Sequence, residues 1–357
     1  MKITSKDVAL VLILFLIIPY SAHRLSSKEI DKEQVALIKK YVTKLDTHGK
    51  SSIVVLHNSG RVDREGNPIE FIDKVVIETA SNILTQNNYT IIYMSLPCIG
   101  DLECYNKYFE IGKLIINLKP KAIIFNSPSS GLNTDTLGAL FDQADIPLYV
   151  YQTESNLNYK QYTGPNNVKI GEAVALGLKP KIKPRDKIVY VETVRLINGD
   201  TFDNGFPRIN AARNLLTSYG AIEHKTIFTE WSKSKTYEEV VSILTKDKNI
   251  KYIIAPSFET AEGAILAVEK LNLSNSTKVI CMDFTLKVAK LLEDGRLEGT
   301  VSQELIKQGE AIANSIIIDN KLKDKNYNEK RQKLFNSAYI TKDNLHFYKD
   351  QKNIYRW

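Results

Sequence analysis

Two stretches near the C-terminus decide the fold: VICMDFT at 279–285 and AKLLEDGRLEGTVSQ at 289–303. They contain an apolar run with Asp283 near its end, then a stretch of helical periodicity, and then a short β-branched run with Gln303 near its end. Similar β-branched runs, most of them ending in a polar or aromatic residue before a turn, recur through the chain. The ten predicted strands are 51–58, 89–97, 121–128, 147–154, 186–193, 222–230, 251–258, 277–284, 299–304 and 337–345.

Helical periodicity fills most of the gaps between these runs, for example at 70–84 and 260–271. Strands that alternate with helices and have near-continuous apolar cores are typical of parallel sheets covered on both faces. Ligands of such sheets bind beyond the carboxyl ends of the strands. The residues predicted there include no nucleophile–base pair and no metal-ligand cluster. The sequence therefore predicts a binding protein, not an enzyme, with no cofactor.

Composition indicates an ordinary globular chain with two α/β lobes. It has 357 residues, 43% hydrophobic and 25% charged, with a formal net charge of +7. The basic residues are scattered and fit no nucleic-acid-binding motif, so no nucleic-acid partner is expected. We place the N-terminal lobe at 49–165 plus 304–335, and the C-terminal lobe at 166–303 plus 336–357.

The N-terminus departs from the globular pattern. Lys2 and Lys6 precede an unbroken apolar run at 8–18, which predicts a membrane anchor or a poorly cleaved signal peptide within 1–25. Cleavage after Ala22 would put Tyr20 where a small residue is preferred. By the positive-inside rule, the two lysines stay cytoplasmic and the rest of the chain lies on the extracellular face of the membrane.

Two further features of the sequence leave alternatives open. Residues 26–48 predict a juxtamembrane helix with one apolar stripe, which either packs on the first lobe or acts as a stalk that presents a face to a partner. Cys98 and Cys104 flank a short loop, where they either form a disulfide in an exported domain or remain free thiols.

Over about 300 residues, roughly from 50 to 350, the chain resembles the type I periplasmic sugar-binding proteins, the family of ribose- and xylose-binding proteins. The resemblance is carried by 279–303, by PSFETAEGA at 256–264, and by Asn166-Asn167 with Gly171 beyond them. The family has Asp where Asn166 stands. The resemblance implies an α/β fold of two Rossmann-like lobes that are joined by three crossover strands and close on a ligand like a clamp.

A sugar site needs carboxylates, amides, an arginine and aromatic planes. Asp283 and Gln303, at predicted strand ends, are the leading candidates. The structural alternatives are a helix N-cap for Asp283 and an exposed hinge for Gln303. The resemblance also points to Arg208 at a helix start and to Trp231 after a strand. The remaining candidates are Asn58, Ser59, Arg61 and Gln152 in the first lobe, and Ser257 and Phe258 in the second; core packing is the alternative for Phe258.

The leading functional hypothesis is an anchored extracytoplasmic receptor for D-xylose or a similar pentose that signals to a sensor histidine kinase. It rests on a resemblance to xylose-sensing binding proteins that partner LytS-type kinases. The alternatives are the substrate-binding subunit of a sugar ABC transporter, which would partner an ABC permease, and a binder of autoinducer-2-type signals. A transcription regulator on this fold would need an N-terminal helix-turn-helix, and the sequence has an apolar segment there.

Overall fold

The computed structural model describes residues 51–58, 72–96, 112–126, 135–154, 157–193, 204–322, 331–336 and 338–349. The predicted anchor within 1–25, the predicted helix at 26–48 and the Cys98–Cys104 pair lie outside these residues. Within the described ranges, every helix is too short or too polar to cross a bilayer.

Strands and helices alternate along most of the described chain. The strands are β1 (Ser52–Asn58), β2 (Thr90–Leu96), β3 (Ala122–Phe125), β4 (Leu148–Tyr151), β5 (Gln161–Pro165), β6 (Lys187–Glu192), β7 (Ile222–Phe228), β8 (Ile250–Ile254), β9 (Lys278–Ile280), β10 (Thr300–Val301), β11 (Arg331–Phe335) and β12 (Tyr339–Ile340). The helices are α1 (Ile72–Gln86), α2 (112–118), α3 (Asp135–Gln143), α4 (Asn167–Leu178), α5 (Gly205–Ser218), α6 (Lys233–Lys246), α7 (Phe258–Lys270), α8 (Leu286–Glu293), α9 (Leu305–Leu322) and α10 (His346–Lys349).

The chain divides into two compact units. From Ile77 onward it stays in the first unit to Thr163, in the second from Gly164 to Gln308, in the first from Gly309 to Lys333, and then in the second.

A six-stranded sheet in the order β11-β5-β4-β3-β1-β2 forms the centre of the first unit. The pairs from β5 to β2 are parallel. Strands β3 and β4 are buried along their whole length, since they lie in the middle of the sheet. Their continuous apolar sequences, AIIF and LYVY, fit a strand covered on both faces.

The second unit has a four-stranded parallel sheet in the order β7-β6-β8-β9, beside the antiparallel pair β10–β12. One apolar core lies between this sheet and helices α6, α7 and α8, and another lies between the sheet and helices α4 and α5. The expectation of an α/β fold with parallel sheets is therefore confirmed, and the carboxyl ends of β8 and β9 lie side by side.

Several predicted strand ends were wrong. Run 251–258 was expected to be strand throughout, but β8 ends at Ile254 and Phe258 is the first residue of α7, because the Ser257 side chain caps that helix. Runs 277–284, 299–304 and 337–345 contain strands of only two or three residues. Strands β5 and β11 were not predicted.

Candidate functional site

The carboxyl ends of the strands in the second unit bring a buried carboxylate and a buried amide together. Asp283 follows β9 and is 2% exposed, while Gln303 follows β10 and is 4% exposed. Gln303 Nε2 donates to Asp283 Oδ1, and the backbone N–H of Phe258 donates to Asp283 Oδ2 at 2.7 Å. Both members of the candidate pair are therefore buried and hydrogen-bonded. Gln303 is not an exposed hinge residue.

The sequence-based alternative for Asp283, a cap on the helix that follows it, was wrong. Thr285 caps α8, since its side chain accepts the N–H of Val288 at 3.3 Å. Asp283 instead accepts the first N–H of the neighbouring helix α7. A carboxylate at that helix end is stabilised by the positive end of the helix dipole.

The backbone at Asp283 is fixed from two sides. Its N–H donates to the sulfur of buried Cys281 at 3.3 Å, and its carbonyl accepts the hydroxyl of Thr300 in β10. The Gln303 carbonyl accepts a hydrogen bond of 2.6 Å from Nε2 of Gln308, which is fully buried in α9. Sequence reasoning missed Thr300 and Gln308, because a tertiary hydrogen bond leaves no local pattern.

Arg208 lies in the first turn of α5 and is 3% exposed, so it is a buried arginine. Its Nε donates to Asn167 Oδ1 at 2.7 Å, and its Nη1 donates to the Pro256 carbonyl at 2.9 Å. Its charge acts on Asp283. Arg208, Asp283 and Gln303 therefore belong to one polar cluster at the end of the sheet.

Burial is the dominant electrostatic effect on Asp283. It raises the pKa of that carboxyl above its ordinary value, and the Arg208 guanidinium offsets part of the rise, followed by the Phe258 N–H and the Gln303 amide. A carboxylate with these donors accepts further hydrogen bonds from a ligand when it is ionised.

The side-chain oxygen of Gln303 has no hydrogen-bond partner within the described part of the chain. Gln303 Oε1 is buried, and no hydrogen-bond donor for it occurs among the residues that the structure describes. A buried amide oxygen left unsatisfied costs about 1–3 kcal/mol, so the site favours a ligand that donates a hydrogen bond there.

The other candidates in the second unit have different surroundings. Ser257 is a helix cap whose Oγ accepts the Thr260 N–H at 3.4 Å. The Phe258 ring packs in the apolar core, with the Lys287 ammonium 6.0 Å from its centroid.

Trp231 follows β7, and it is half-buried. β7, which precedes it, and β9, which precedes Asp283, are opposite edges of the sheet, so these two strands are about 14 Å, three strand spacings, apart. Glu230 and Trp231 both have left-handed backbone, with φ of 52° and 61°. Such conformations cluster at functional sites. The stacking role of Trp231 stays a prediction.

In the first unit, Gln152 follows β4 and is buried, with a φ of 61°. Its N–H donates to the Thr163 carbonyl at 3.1 Å, and its carbonyl accepts the Tyr162 hydroxyl at 3.0 Å. Asn58 ends β1 and only its backbone is described, while Ser59 and Arg61 lie outside the described residues. The predicted ligand contacts of these residues stay predictions.

No grouping of His, Cys, Asp and Glu suited to a metal ion occurs within the described ranges. The polar cluster of the second unit contains hydrogen-bond donors and acceptors, with one carboxylate and one guanidinium. Its chemistry suits recognition of a polar ligand through hydrogen bonds.

Comparison with known protein families identifies the family of this chain. Residues 113–318 match the periplasmic binding protein domain family, which is more than half of the 357 residues. The protein belongs to this family, and its fold is that of the type I periplasmic binding proteins. None of the curated proteins matches its sequence.

The match to solved structures with this fold extends over nearly the whole length of those structures. An ABC transporter periplasmic solute-binding protein from Actinobacillus succinogenes with bound D-allose has a TM-score of 0.66 and 20% identity, covering 84% of this chain and 100% of that one. AraP, an arabinose-binding protein from Geobacillus stearothermophilus, has a TM-score of 0.66 and 15% identity, covering 84% and 99%. The XylFII–LytSN complex has a TM-score of 0.65 and 18% identity, covering 82% and 98%. At these identities the likeness establishes the fold alone.

Proposed function

We propose that the protein is an extracytoplasmic receptor for a neutral monosaccharide, D-xylose or a similar pentose. The observation that carries this proposal is the buried Asp283–Gln303 pair, whose amide oxygen has no donor within the described part of the chain. A sugar hydroxyl donates its proton to one atom and accepts from another, so it matches a cluster of carboxylate, amide and guanidinium. Membership in the periplasmic binding protein domain family supports a binding role.

A membrane sensor histidine kinase is the partner that detects the sugar-bound receptor. Sugar binding shifts an open–closed equilibrium of the receptor, and the kinase binds one of the two states more tightly. The segment at 1–25 holds the receptor at the outer face of the membrane. Support comes from the XylFII–LytSN complex among the structures of this fold.

A second candidate is the substrate-binding subunit of a sugar ABC transporter. The similar proteins from A. succinogenes and G. stearothermophilus favour it, since the first is described as an ABC transporter protein and the second as an arabinose-binding protein. The two candidates share the same sugar site and differ in the membrane partner. An autoinducer-2-type signal is a further candidate ligand for the same site.

Calorimetry tests the ligand class. The full-length chain, in a detergent without a sugar headgroup, is titrated with pentoses, hexoses and autoinducer-2. We expect micromolar or tighter binding of at least one pentose. Absence of heat with every compound would exclude the small-ligand function, and heat with autoinducer-2 alone would replace the sugar by that signal.

Separate measurements of uptake and gene induction distinguish the partners. In a strain that lacks this gene, a receptor role predicts that pentose-induced transcription is lost while uptake of labelled pentose through a constitutively expressed transporter continues. A transport role predicts that uptake of labelled pentose is lost in this strain. Whichever activity is lost, a copy of the gene with Asp283→Asn should fail to restore it.

A further inference from the structure

Arg208 is held at two points by neutral groups of the protein. Its Nε donates to the side-chain oxygen of Asn167 at 2.7 Å, and its Nη1 donates to the carbonyl of Pro256 at 2.9 Å. Hydrogen bonds to a guanidinium are charge-assisted, so each is stronger than a neutral pair. Because neither acceptor is a carboxylate, these two contacts orient the guanidinium without cancelling its positive charge.

Asn167 is itself fixed by its neighbours. It is the first residue of α4, and its Nδ2 donates to Asn204 Oδ1 at 3.0 Å. Asn204 precedes α5 and makes no side-chain cap on that helix. The same amide therefore joins the starts of α4 and α5, with its oxygen directed to Arg208 and its nitrogen to Asn204.

The two helices also meet at the backbone of Arg208. A Cβ on Gly171 would lie 2.0 Å from the Arg208 carbonyl oxygen, so only glycine allows α4 to approach this closely. The contact places Asn167, one helical turn earlier in α4, beside the guanidinium of the same arginine. Side chain and backbone of Arg208 are thus both set by α4.

Pro256 connects Arg208 to Asp283. The Pro256 carbonyl accepts from Arg208, and two residues later the Phe258 N–H donates to the Asp283 carboxylate. One short turn between β8 and α7 therefore contacts the cation on one side and the anion on the other. Among the described residues, Arg208 from α5 and Cys281 from its own strand end interact electrostatically with Asp283. Glu259 of α7 acts on Cys281, and Lys287 of α8 lies over the Phe258 ring.

We propose that Asn167 is a positioning residue that holds the Arg208 guanidinium where its charge acts on the Asp283 carboxylate, and so sets the charge balance of the sugar site. The inference rests on the proposed function for its effect on binding. Its effect on Asp283 is independent of any ligand. Asn167 itself touches Arg208 and Asn204, and it acts on the site through Arg208.

Two variants test this role on the full-length protein. Asn167→Ala removes the acceptor, so Arg208 is oriented by fewer contacts; affinity for the pentose found by calorimetry should fall roughly tenfold. Asn167→Asp keeps an acceptor and should recover most of the affinity at pH 8. Its added negative charge reduces the effect of Arg208 on Asp283. When the pH is lowered, the affinity of this variant should therefore begin to fall at a higher pH than that of the wild type.

Asn166→Ala is the matched control. Asn166 is the adjacent residue and caps the same helix, since its side chain accepts the Lys169 N–H at 3.1 Å. Loss of that cap should lower the melting temperature while the affinity and its pH profile stay within error of the wild type. A general loss of helix stability is thereby separated from a change at Arg208.

A ligand-free measurement keeps the inference testable if no sugar binds. The ¹³C signal of the Asp283 carboxyl, assigned by difference with Asp283→Asn, should titrate at a higher pH in both Asn167 variants than in the wild type. Identical titrations in the wild type, Asn167→Ala and Asn167→Asp would overturn the positioning role. Failure of every sugar to bind, with shifted titrations, would overturn the proposed function and retain the positioning role.

Discussion

At the scale of single residues, the Asp283 carboxylate combines burial with several hydrogen-bond donors. The Phe258 N–H and the Gln303 amide donate to its two oxygens, and Arg208 is near enough to act on its charge. An ionised carboxyl costs several kcal/mol to bury without such partners. These partners therefore offset part of the cost of an ionised carboxyl inside the protein, where a polar ligand is proposed to bind.

Asp283→Asn should weaken monosaccharide binding by roughly 10- to 100-fold, because it removes a charge-assisted hydrogen bond to the ligand while it keeps the size of the side chain. Calorimetry at pH 7.5 measures this loss. Asp294→Asn, an exposed change of the same kind at the end of α8, is the control and should leave affinity unchanged. Equal affinities for both variants would remove Asp283 from the site.

Stability should depend on Asp283 in a direction set by its raised pKa. Between the unfolded pKa of about 3.9 and the higher folded pKa, the folded state binds more protons than the unfolded state, so stability falls as pH rises through this window. Asp283→Asn should remove that part of the decline. Chemical denaturation from pH 4 to pH 8 measures it, and curves that stay parallel for wild type and variant would contradict the prediction.

The site residues at strand ends could be predicted from the sequence, whereas the residues that hold them in place by hydrogen bonds could not. Asp283 and Gln303 follow apolar runs, and the topology of parallel sheets places such residues at one edge. The structure brings their side chains together. Asn167 and Gln308 reach the cluster from helices through tertiary hydrogen bonds, and single amides in a helix sequence carry no signal of such contacts.

At the scale of elements, the close packing of α4 on α5 depends on one missing side chain. Gly171 lets the Arg208 carbonyl oxygen approach its Cα, where a Cβ would lie 2.0 Å away. Contacts under 3 Å between carbon and oxygen do not form, so a larger residue must separate the helices. The separation would also move Arg208.

Gly171→Ala should therefore lower the free energy of unfolding by about 1–3 kcal/mol, the range for an overpacked core, despite the better helix propensity of alanine. Urea denaturation gives the value. Leu176→Ala lies on the exposed side of the same helix and should change stability by less than about 0.5 kcal/mol. A Gly171→Ala protein as stable as the wild type would mean that the two helices separate at no cost.

The two strands that the sequence did not predict have physical reasons for their weak signals. β5 reads QYTGP, where Gly164 and Pro165 favour a turn, yet all five residues are buried in the sheet. β11 reads RQKLF and lies at the edge of the sheet, where its side chains are mostly exposed. An edge strand needs little apolar sequence, and its charged side chains protect the edge from unwanted pairing.

At the scale of the whole molecule, each compact unit has a core of its own. The core of the first unit lies around β1, β3 and β4, and the second unit has apolar cores on both faces of its four-stranded sheet. A ligand that binds only the folded protein stabilises it by mass action. The size of that effect depends on the concentration of free ligand relative to its dissociation constant.

A bound pentose at 100 times its dissociation constant should stabilise the protein by about 2.7 kcal/mol, which corresponds to a rise of roughly 3–4 °C in melting temperature for 357 residues that unfold together. Thermal unfolding of the full-length chain with and without sugar measures the shift. Asp283→Asn at the same sugar concentration should show a smaller shift. An equal shift in that variant would mean that the sugar is held elsewhere.

The position of β11 has a consequence for biosynthesis. This strand, Arg331–Phe335, completes the first sheet next to β5, and the Arg331 N–H donates to the Lys160 carbonyl. The four strands of the second sheet all lie between Lys187 and Ile280. A ribosome or translocation pore releases the chain from its N-terminus, so the first sheet is completed only after all four strands of the second sheet have been made. A nascent chain that stalls before Arg331 leaves β5 as an unpaired edge strand to which chaperones can bind.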